Sequence, residues 1–169
     1  MEIATQQKPE VIYCAGGNSR LAQIAIDAGM LYGARLPGIA YHPIFFADQD
    51  WKNPDLDAYA SSVEGYGAKF VTILDWERKE QEREVFEWAE RLSLVPSVET
   101  IAFIPKAHGT IGRIPTTIND KRVILAYSVP TRYGGTTVPL EEFGSREVHL
   151  LGGHPHDQIM LCRDLNVVS

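Results

Sequence analysis

The chain alternates between short apolar runs and segments with the apolar spacing of helices. Runs typical of buried β-strands are predicted over 11–16, 44–47, 69–74, 100–104, 123–127 and 148–151, and another begins at 166. Helices are predicted over 19–28, from Asn53-Pro54 toward 65–67, and over 78–94, with shorter ones near 108–114, 139–143 and 156–165. Buried strands separated by helices indicate a parallel sheet covered on both faces, either closed into a barrel or open and doubly wound. We favour a parallel (β/α) TIM-like barrel that forms a single domain over residues 1–169.

The number of strands bears on whether this barrel is whole. The pattern gives seven strands, and Ser169 lies within or directly after the last of them. A TIM barrel closes with eight. The sequence therefore predicts a barrel that is incomplete or truncated at its C-terminus.

The balance of charges restricts the partners that the protein can have. The chain has 16 Lys and Arg residues against 22 Asp and Glu residues, so it has no general attraction to a phosphate backbone. DNA or RNA could bind only through a local basic rim. No apolar run approaches the roughly 18 residues of a membrane span, residues 1–10 lack the pattern of a signal peptide, and Cys14 and Cys162 lie in apolar surroundings. We expect a cytoplasmic protein that contacts no membrane.

Polar residues follow six of the predicted strands, at the end of a parallel sheet where active sites form. Asp48 and Asp50 follow the second predicted strand beside Trp51, and Asp75 follows the third beside Trp76. A carboxylate at a strand end is held rigidly and burial can tune its pKa, so these three aspartates are the candidate catalytic residues. The alternative is that each caps a helix or forms a salt bridge.

Cations and glycines at other strand ends are candidate substrate contacts. Lys106 and Arg132 could hold a phosphate or carboxylate group, or could pair with the aspartates. Gly16 and Gly17, followed by Asn18, could cradle an anion at a helix N-terminus. The segment lacks the lysine of a P-loop and the third glycine of a dinucleotide fingerprint, so an ordinary βα turn is the simpler interpretation.

Histidines and aromatic residues complete the candidate site. His154 and His156 have a spacing that metal ligands can have, but helix capping and ligand contact explain them more simply, and we expect no metal or cofactor. Trp51, Trp76, Tyr127 and Tyr133 would suit a flat ring that stacks, although packing alone is the alternative. The candidate substrate-binding residues are Gly16, Asn18, Gln49, Trp51, Lys106, Tyr127, Arg132, Gly152, Gly153, His154 and His156.

Three segments, 46–51, 127–135 and 149–156, together resemble a family of uncharacterised proteins common in phages and actinobacteria, and the likeness spans nearly the whole chain. That family is similar in turn to a shortened tRNA-guanine transglycosylase barrel, which breaks the bond between a base and its ribose with aspartates at strand ends. The resemblance implies that Asp48 or Asp50 acts with Asp75 at an anomeric carbon. It also implies that Lys106 and Arg132 bind phosphate and that the backbone of 152–153 approaches the base.

Three functions are compatible with these residues. The first, which we favour, is an N-glycosidase or transglycosylase that acts on a nucleobase in nucleic acid, for example a DNA glycosylase for modified bases in a phage or antiviral-defence setting. The second is a barrel enzyme for a small phosphorylated metabolite, with Gly16, Gly17 and Arg132 as the anion site. The third is a catalytically silent interaction or virion-associated protein.

Overall fold

One curled sheet carries the described part of the chain, which comprises residues 8–15 and 18–169 of the computed structural model. Its strands are β1 (Ile12–Ala15), β2 (Leu31–Leu36), β3 (Phe46–Gln49), β4 (Phe70–Trp76), β5 (Thr100–Pro105), β6 (Thr117–Ile118), β7 (Lys121–Ser128), β8 (Glu147–Leu151) and β9 (Asn166–Val167). Eight strands run parallel in the order β1-β2-β3-β4-β5-β7-β8-β9, and β6 pairs antiparallel with β7. The helices are α1 (Ser19–Asp27), α2 (Leu56–Tyr66), α3 (Glu82–Ser93), α4 (Leu140–Phe143) and α5 (Pro155–Leu161).

The predicted TIM-like barrel is wrong, because the sheet is an open, all-parallel half-barrel. Its edge strands are β1 and β9, which do not pair with each other in the described residues. A single backbone hydrogen bond joins the two edges, from the Glu10 N–H to the Val168 carbonyl oxygen at 2.9 Å. The regular alternation of strands and helices also fails. Within the described residues no α-helix joins β2 to β3 or β5 to β7, and α4 is a single turn. A complete barrel needs a helix after every strand to cover its outside.

The sequence pattern missed a strand near the N-terminus rather than one at the C-terminus. β2 pairs with both β1 and β3, and it raises the number of parallel strands from the predicted seven to eight. Gly33 and Arg35 interrupt its apolar run, so it lacks the appearance of a buried strand. The described residues therefore contain eight parallel strands that do not close into a barrel.

Local sequence signals set the positions of the long helices. Asn18 caps α1 as predicted, and its side chain accepts a hydrogen bond from the Leu21 N–H at 3.1 Å. α2 begins later than predicted because Asp55, rather than Asn53, caps it and accepts from the Ala58 N–H at 3.0 Å. None of the helices in residues 8–15 and 18–169 combines the length and the apolar character that crossing a membrane requires.

The two faces of the sheet bury different sets of residues. The convex face packs against the helices, and its core includes Ile73, Leu92 and Phe103. The concave face has its own apolar floor, formed by Phe46, Phe70, Ala102, Ile104, Ile124 and Ala126. The rings of Phe46 on β3 and His149 on β8 lie 5.0 Å apart although three strands separate β3 from β8 in the sheet. The curl of the sheet thus brings distant strands together around one concavity.

The glycine in β2 allows the floor of this concavity to pack. A Cβ atom added to Gly33 would lie 2.7 Å from Cδ1 of Phe46, whose ring is fixed between Phe70 and His149. We expect Gly33→Ala to lower the free energy of unfolding by about 1–3 kcal/mol, because the ring of Phe46 packs against Phe70 and His149 and must displace them to move away. The matched control is Gly65→Ala in α2, where nothing lies within 4 Å of the added atom. It should raise the free energy of unfolding by roughly 0.5–1 kcal/mol, and urea denaturation that gave both variants the same sign would contradict this packing.

Candidate active site

A cleft of about 390 Å³ opens at the carboxyl ends of the strands, on the concave side of the sheet. The predicted site residues that line it are Asp48, Gln49, Trp51, Asp75, Lys106, Gly152 and Gly153. The volume falls in the range of small-molecule sites. The sheet therefore brings residues from four predicted strand ends to one cavity.

Asp75 reaches the cleft because β4 contains a β-bulge. In a regular strand side chains alternate between faces, so Thr72 on the concave face would be followed there by Leu74, with Asp75 on the helix-covered face. The pairing of β4 with β5 shifts between Thr72, opposite Ala102, and Asp75, opposite Ile104. The extra residue lets Leu74 join the core under the helices and brings Asp75 into the cleft wall.

Asp48 is a partly buried carboxyl group whose pKa lies close to neutrality. Burial raises the pKa of Asp48 from 3.8 to about 6, and the charge of Asp75 adds to the rise, whereas a hydrogen bond from Thr72 and the charge of Arg35 lower it. In that hydrogen bond, Oγ1 of Thr72 donates to Oδ1 of Asp48 at 2.9 Å. A carboxyl group with this pKa can both release and accept a proton near neutral pH, as a general acid or base must.

Asp75 differs from Asp48 because a cation contacts it directly. Nζ of Lys106 lies 2.5 Å from Oδ2 of Asp75 and 4.0 Å from Oε1 of Glu77. The side chains of Lys106 and Asp75 are only 19% and 14% exposed, so water screens the pair weakly. Burial is the largest effect and holds the pKa of Asp75 above 3.8, although the hydrogen bond and the charge of Lys106 lower it. The ammonium group therefore favours the ionised form of Asp75.

Asp50 does not join the other two aspartates. It lies just after the end of β3, outside the set of residues that line the cleft. Its carboxylate accepts from the Lys52 N–H at 3.3 Å and lies 3.9 Å from Arg35. Asp50 thus stabilises the turn after β3, which is the capping and ion-pair alternative considered for these aspartates.

Several other predicted contacts lie elsewhere. Tyr127 and Trp76 are buried on the convex face and cannot stack on a ligand, and the ring of Tyr127 lies 5.2 Å from that of Phe143. His154 caps α5, where its Nδ1 accepts from the His156 N–H at 3.2 Å, and His156 itself is exposed. Asn18 caps α1 and is not among the residues that line the cleft. The predicted contact at Gly16 and the neighbouring Gly17 lie outside the described residues.

Two exposed aromatic rings flank the mouth of the cleft, each with a cation beside it. Trp51 has Nζ of Lys52 at 5.2 Å from its ring centroid. Tyr133 has the guanidinium of Arg132 at 4.7 Å, and the same guanidinium also donates a hydrogen bond to the Tyr133 hydroxyl. Arg132 is therefore at the rim and not among the residues that line the cleft. We call these four residues the cation–aromatic rim.

Glycines let the loops after β7 and β8 approach each other at the cleft. Gly153 has a φ of +81°, and a Cβ atom there would lie 2.5 Å from Cγ1 of Val129. Gly135 has a φ of +142°, and its added Cβ would lie 2.5 Å from the Cα of Pro130. A larger residue at position 153 would force the loops after β7 and β8 apart, and one at position 135 would open the loop after β7, which contains both Pro130 and Gly135. These close contacts let the two loops form one continuous wall of the cleft.

Three polar residues of the cleft, Cys14, Ser128 and Thr131, were not predicted as site residues. Cys14 lies on β1 and Ser128 on β7. Cys14 as a whole is exposed, but its thiol group is desolvated. This desolvation and the charge of Asp48 raise the pKa of Cys14 to about 12, so the sulfur stays protonated at neutral pH. Strand alternation offered a signal for Ser128, because Ala126 lies on the concave face and Tyr127 on the convex one.

The described residues do not provide a set of metal ligands at this site. Within residues 8–15 and 18–169, no three His, Cys, Asp or Glu side chains cluster as metal ligands do. The chemistry that the cleft can supply from its own residues is proton transfer by Asp48, a fixed negative charge at Asp75 and aromatic stacking at the rim.

Comparisons with known proteins identify a family but no activity. The model of a family of unknown function, DUF6610, matches residues 25–169, a range that includes Asp48, Asp75 and Lys106. No curated protein and no solved structure matches the chain. The evidence on function therefore comes from the cleft itself.

Proposed function

The chain belongs to this family of unknown function, DUF6610, and we propose from its cleft that it cleaves the N-glycosidic bond of a nucleobase in nucleic acid. The observation that carries the proposal is the pair Asp48 and Asp75, two carboxyl groups in one cleft with different surroundings. Most glycoside hydrolases use one carboxyl group in its acid form and a second as a carboxylate, and we extend this arrangement to an N-glycosidic bond. Burial raises the pKa of both groups, and Asp75 differs from Asp48 in the direct contact with Lys106, which favours its carboxylate.

The proposed reaction assigns a separate task to each aspartate. Asp48 donates its proton to a nitrogen of the base while the bond from that base to the sugar carbon breaks, and the electron pair of the bond leaves with the base. The carboxylate of Asp75 stabilises the positive charge that develops on the sugar. A water molecule then adds to the sugar carbon, and the proton that it loses restores the acid form of Asp48. The products are the free base and a sugar with a hydroxyl group.

The cation–aromatic rim supports a nucleic-acid substrate. Trp51 and Tyr133 are 54% and 76% exposed, and exposed rings that flank a cleft can stack on bases. Lys52 and Arg132 beside them could contact the phosphates that adjoin a base held in the cleft. This local pair of cations would compensate for the net charge of −6, which repels a phosphate backbone elsewhere. Such a substrate, and two free cysteines, favour a reducing cytoplasmic setting.

The alternative of a small phosphorylated metabolite receives less support. The cation that lines the cleft in the described residues is Lys106, and Asp75 already pairs with it. A phosphate group would have to compete with that contact. Arg132, the other predicted phosphate ligand, lies at the rim and outside the residues that line the cleft, where it can reach a phosphate that flanks the bound base but not a group held inside.

Measurement of released base tests the proposed function. The protein is incubated with DNA and RNA oligonucleotides that carry normal and modified bases, and with the matching free nucleosides and nucleotides, and free base is quantified by mass spectrometry. We expect release from at least one oligonucleotide, and faster release than from the matching nucleoside. Release only when a second base is added and incorporated would identify a transglycosylase. If every substrate stays intact, the proposed function is wrong, and release from free nucleotides alone would favour the metabolite enzyme.

A further inference from the structure

A short chain of hydrogen bonds runs beneath the cleft from β3 to β4 and back. The backbone N–H of Gln49 donates to Oγ1 of Thr72 at 3.0 Å, and Oγ1 of Thr72 donates to Oδ1 of Asp48 at 2.9 Å. Thr72 is fully buried. The Gln49 N–H occupies one lone pair of the threonine oxygen, and in the described residues the acceptor of the single hydroxyl hydrogen is Oδ1 of Asp48.

The backbone on both sides of this chain is held from the opposite face of the sheet. The hydroxyl oxygen of Tyr59, on α2, lies 2.8 Å from the carbonyl oxygen of Ala47 and 3.1 Å from that of Thr72, so its one hydrogen is shared between the two acceptors. Tyr59 is 1% exposed, so water does not compete for these bonds. The residues that direct the threonine hydroxyl toward Asp48 are thus fixed relative to one another.

We propose that Thr72 is a positioning residue that keeps Oδ1 of Asp48 as a hydrogen-bond acceptor, so that the acidic proton of Asp48 is carried by Oδ2. An oxygen that accepts the threonine hydrogen is the carbonyl-type oxygen of the protonated carboxyl group, and the other oxygen carries the proton. The inference rests on the proposed function only in its consequence for catalysis. There, the bond from Oδ2 to hydrogen is the one that breaks when the base nitrogen takes the proton.

Other charged and titratable groups surround Asp48, and none of them does what Thr72 does. Asp75 on β4 disfavours the carboxylate of Asp48, and Arg35 on β2 favours it. Cys14 on β1 and Tyr59 behind the sheet are coupled to the charge of Asp48, and for both that charge favours the neutral form. A change at Thr72 leaves these four groups in place. The effect of the hydroxyl can therefore be measured separately from them.

Titration of Asp48 by carbon-13 NMR tests the assignment in the full chain. In Thr72→Val the donor is lost while the shape is kept, and the titration midpoint of Asp48 should rise by about one pH unit. Thr72→Ser keeps the hydroxyl and should titrate as the wild type does. Tyr59→Phe, which alters the backbone bonds and leaves the hydroxyl of Thr72 in place, is the structural control and should shift the midpoint much less. A folded Thr72→Val with an unchanged midpoint would overturn the proposal.

A second measurement needs no variant and therefore does not depend on whether Thr72→Val folds. In an atomic-resolution crystal structure of the wild type at pH 5, the carbon–oxygen bond to Oδ2 of Asp48 should be longer than the bond to Oδ1. Equal lengths, or a longer bond to Oδ1, would contradict the assignment. Both measurements remain valid if no substrate releases a base, so failure of the proposed function is distinguishable from failure of this inference. If release is found, the alkaline limb of its pH profile should move upward in Thr72→Val by the same amount as the titration midpoint.

Discussion

Replacing Asp48 by asparagine should reduce the rate of base release by about 10²–10⁴-fold, because a side-chain amide cannot donate the proton that the leaving base requires. In the wild type, kcat/KM should fall about tenfold for each pH unit above a value near 6, where the pKa of Asp48 lies. In the variant, kcat/KM should be low at every pH and should not show this decrease above pH 6. Mass spectrometry of released base at a series of pH values measures both effects.

Asp75→Asn should also lose at least about 10²-fold, but for a different reason, because it removes a fixed negative charge next to the developing sugar cation. It also leaves Lys106 without the carboxylate that lies 2.5 Å away, so circular dichroism should confirm that the variant is folded. The matched control is Asp50→Asn, which makes the same chemical change two residues from Asp48 and outside the cleft. Its rate should stay within about twofold of the wild type. Equal losses in all three variants would contradict the separate tasks assigned to Asp48 and Asp75.

The strands that the sequence predicted well are those whose apolar runs are unbroken. β4, β5, β7 and β8 all lie within a few residues of their predicted positions, since each is buried on both faces of the sheet. β2 escaped prediction because Gly33 makes room for Phe46 and Arg35 reaches toward Asp50. Both interruptions of the apolar run in β2 are therefore explained by contacts with β3 or with the turn after it. Contacts between residues distant in the chain leave no periodic signal in the sequence.

The site was predictable to the level of strand ends but not of individual side chains. Asp48 and Asp50 follow the same apolar run and lie two residues apart, so a continuous strand would direct both side chains to the same face. Because β3 ends at Gln49, the alternation applies to Asp48, which lines the cleft, and not to Asp50. Tyr127 was expected at the rim, and alternation within β7 places it in the convex core instead. Asp75 lies in the cleft only because the bulge in β4 reverses the alternation, and a bulge has no reliable signature in a single sequence.

The two buried titratable groups on the concave face should give the protein two opposing dependences of stability on pH. Burial lowers the pKa of His149 from 6.5 to about 4. Its Nδ1 lies 3.0 Å from Oγ of Ser169, and its ring packs on Phe46 and Phe70. The unfolded chain therefore binds a proton at His149 more readily than the native protein does. The stability that the neutral ring contributes is present above pH 6.5 and is lost as the pH falls through 4.

Asp48 acts in the opposite direction. Its pKa is raised from 3.8 to about 6, so the native protein holds this proton more tightly than the unfolded chain. The stability that the acid form contributes is present below pH 3.8 and is lost as the pH rises through 6. Each shift, of about two pH units or somewhat more, corresponds to roughly 3 kcal/mol. The two contributions should nearly cancel in the wild type between pH 4 and pH 6.5.

Single variants should reveal each slope when the free energy of unfolding is measured with urea at pH 4, 5, 6 and 7. In Asp48→Asn the contribution of His149 remains, so stability should rise by about 3 kcal/mol over this range relative to the wild-type profile. In His149→Leu the contribution of Asp48 remains, and stability should fall by a similar amount as the pH rises. Other groups, such as Asp75, form a background that all three proteins share, so profiles that run parallel would show that neither pKa is shifted. The decrease in the free energy of unfolding of His149→Leu with rising pH also measures the destabilisation caused by ionised Asp48 at neutral pH. Asp48→Asn should therefore be more stable than the wild type at pH 7 while it loses activity, as expected of a buried carboxyl group kept for chemistry rather than for folding.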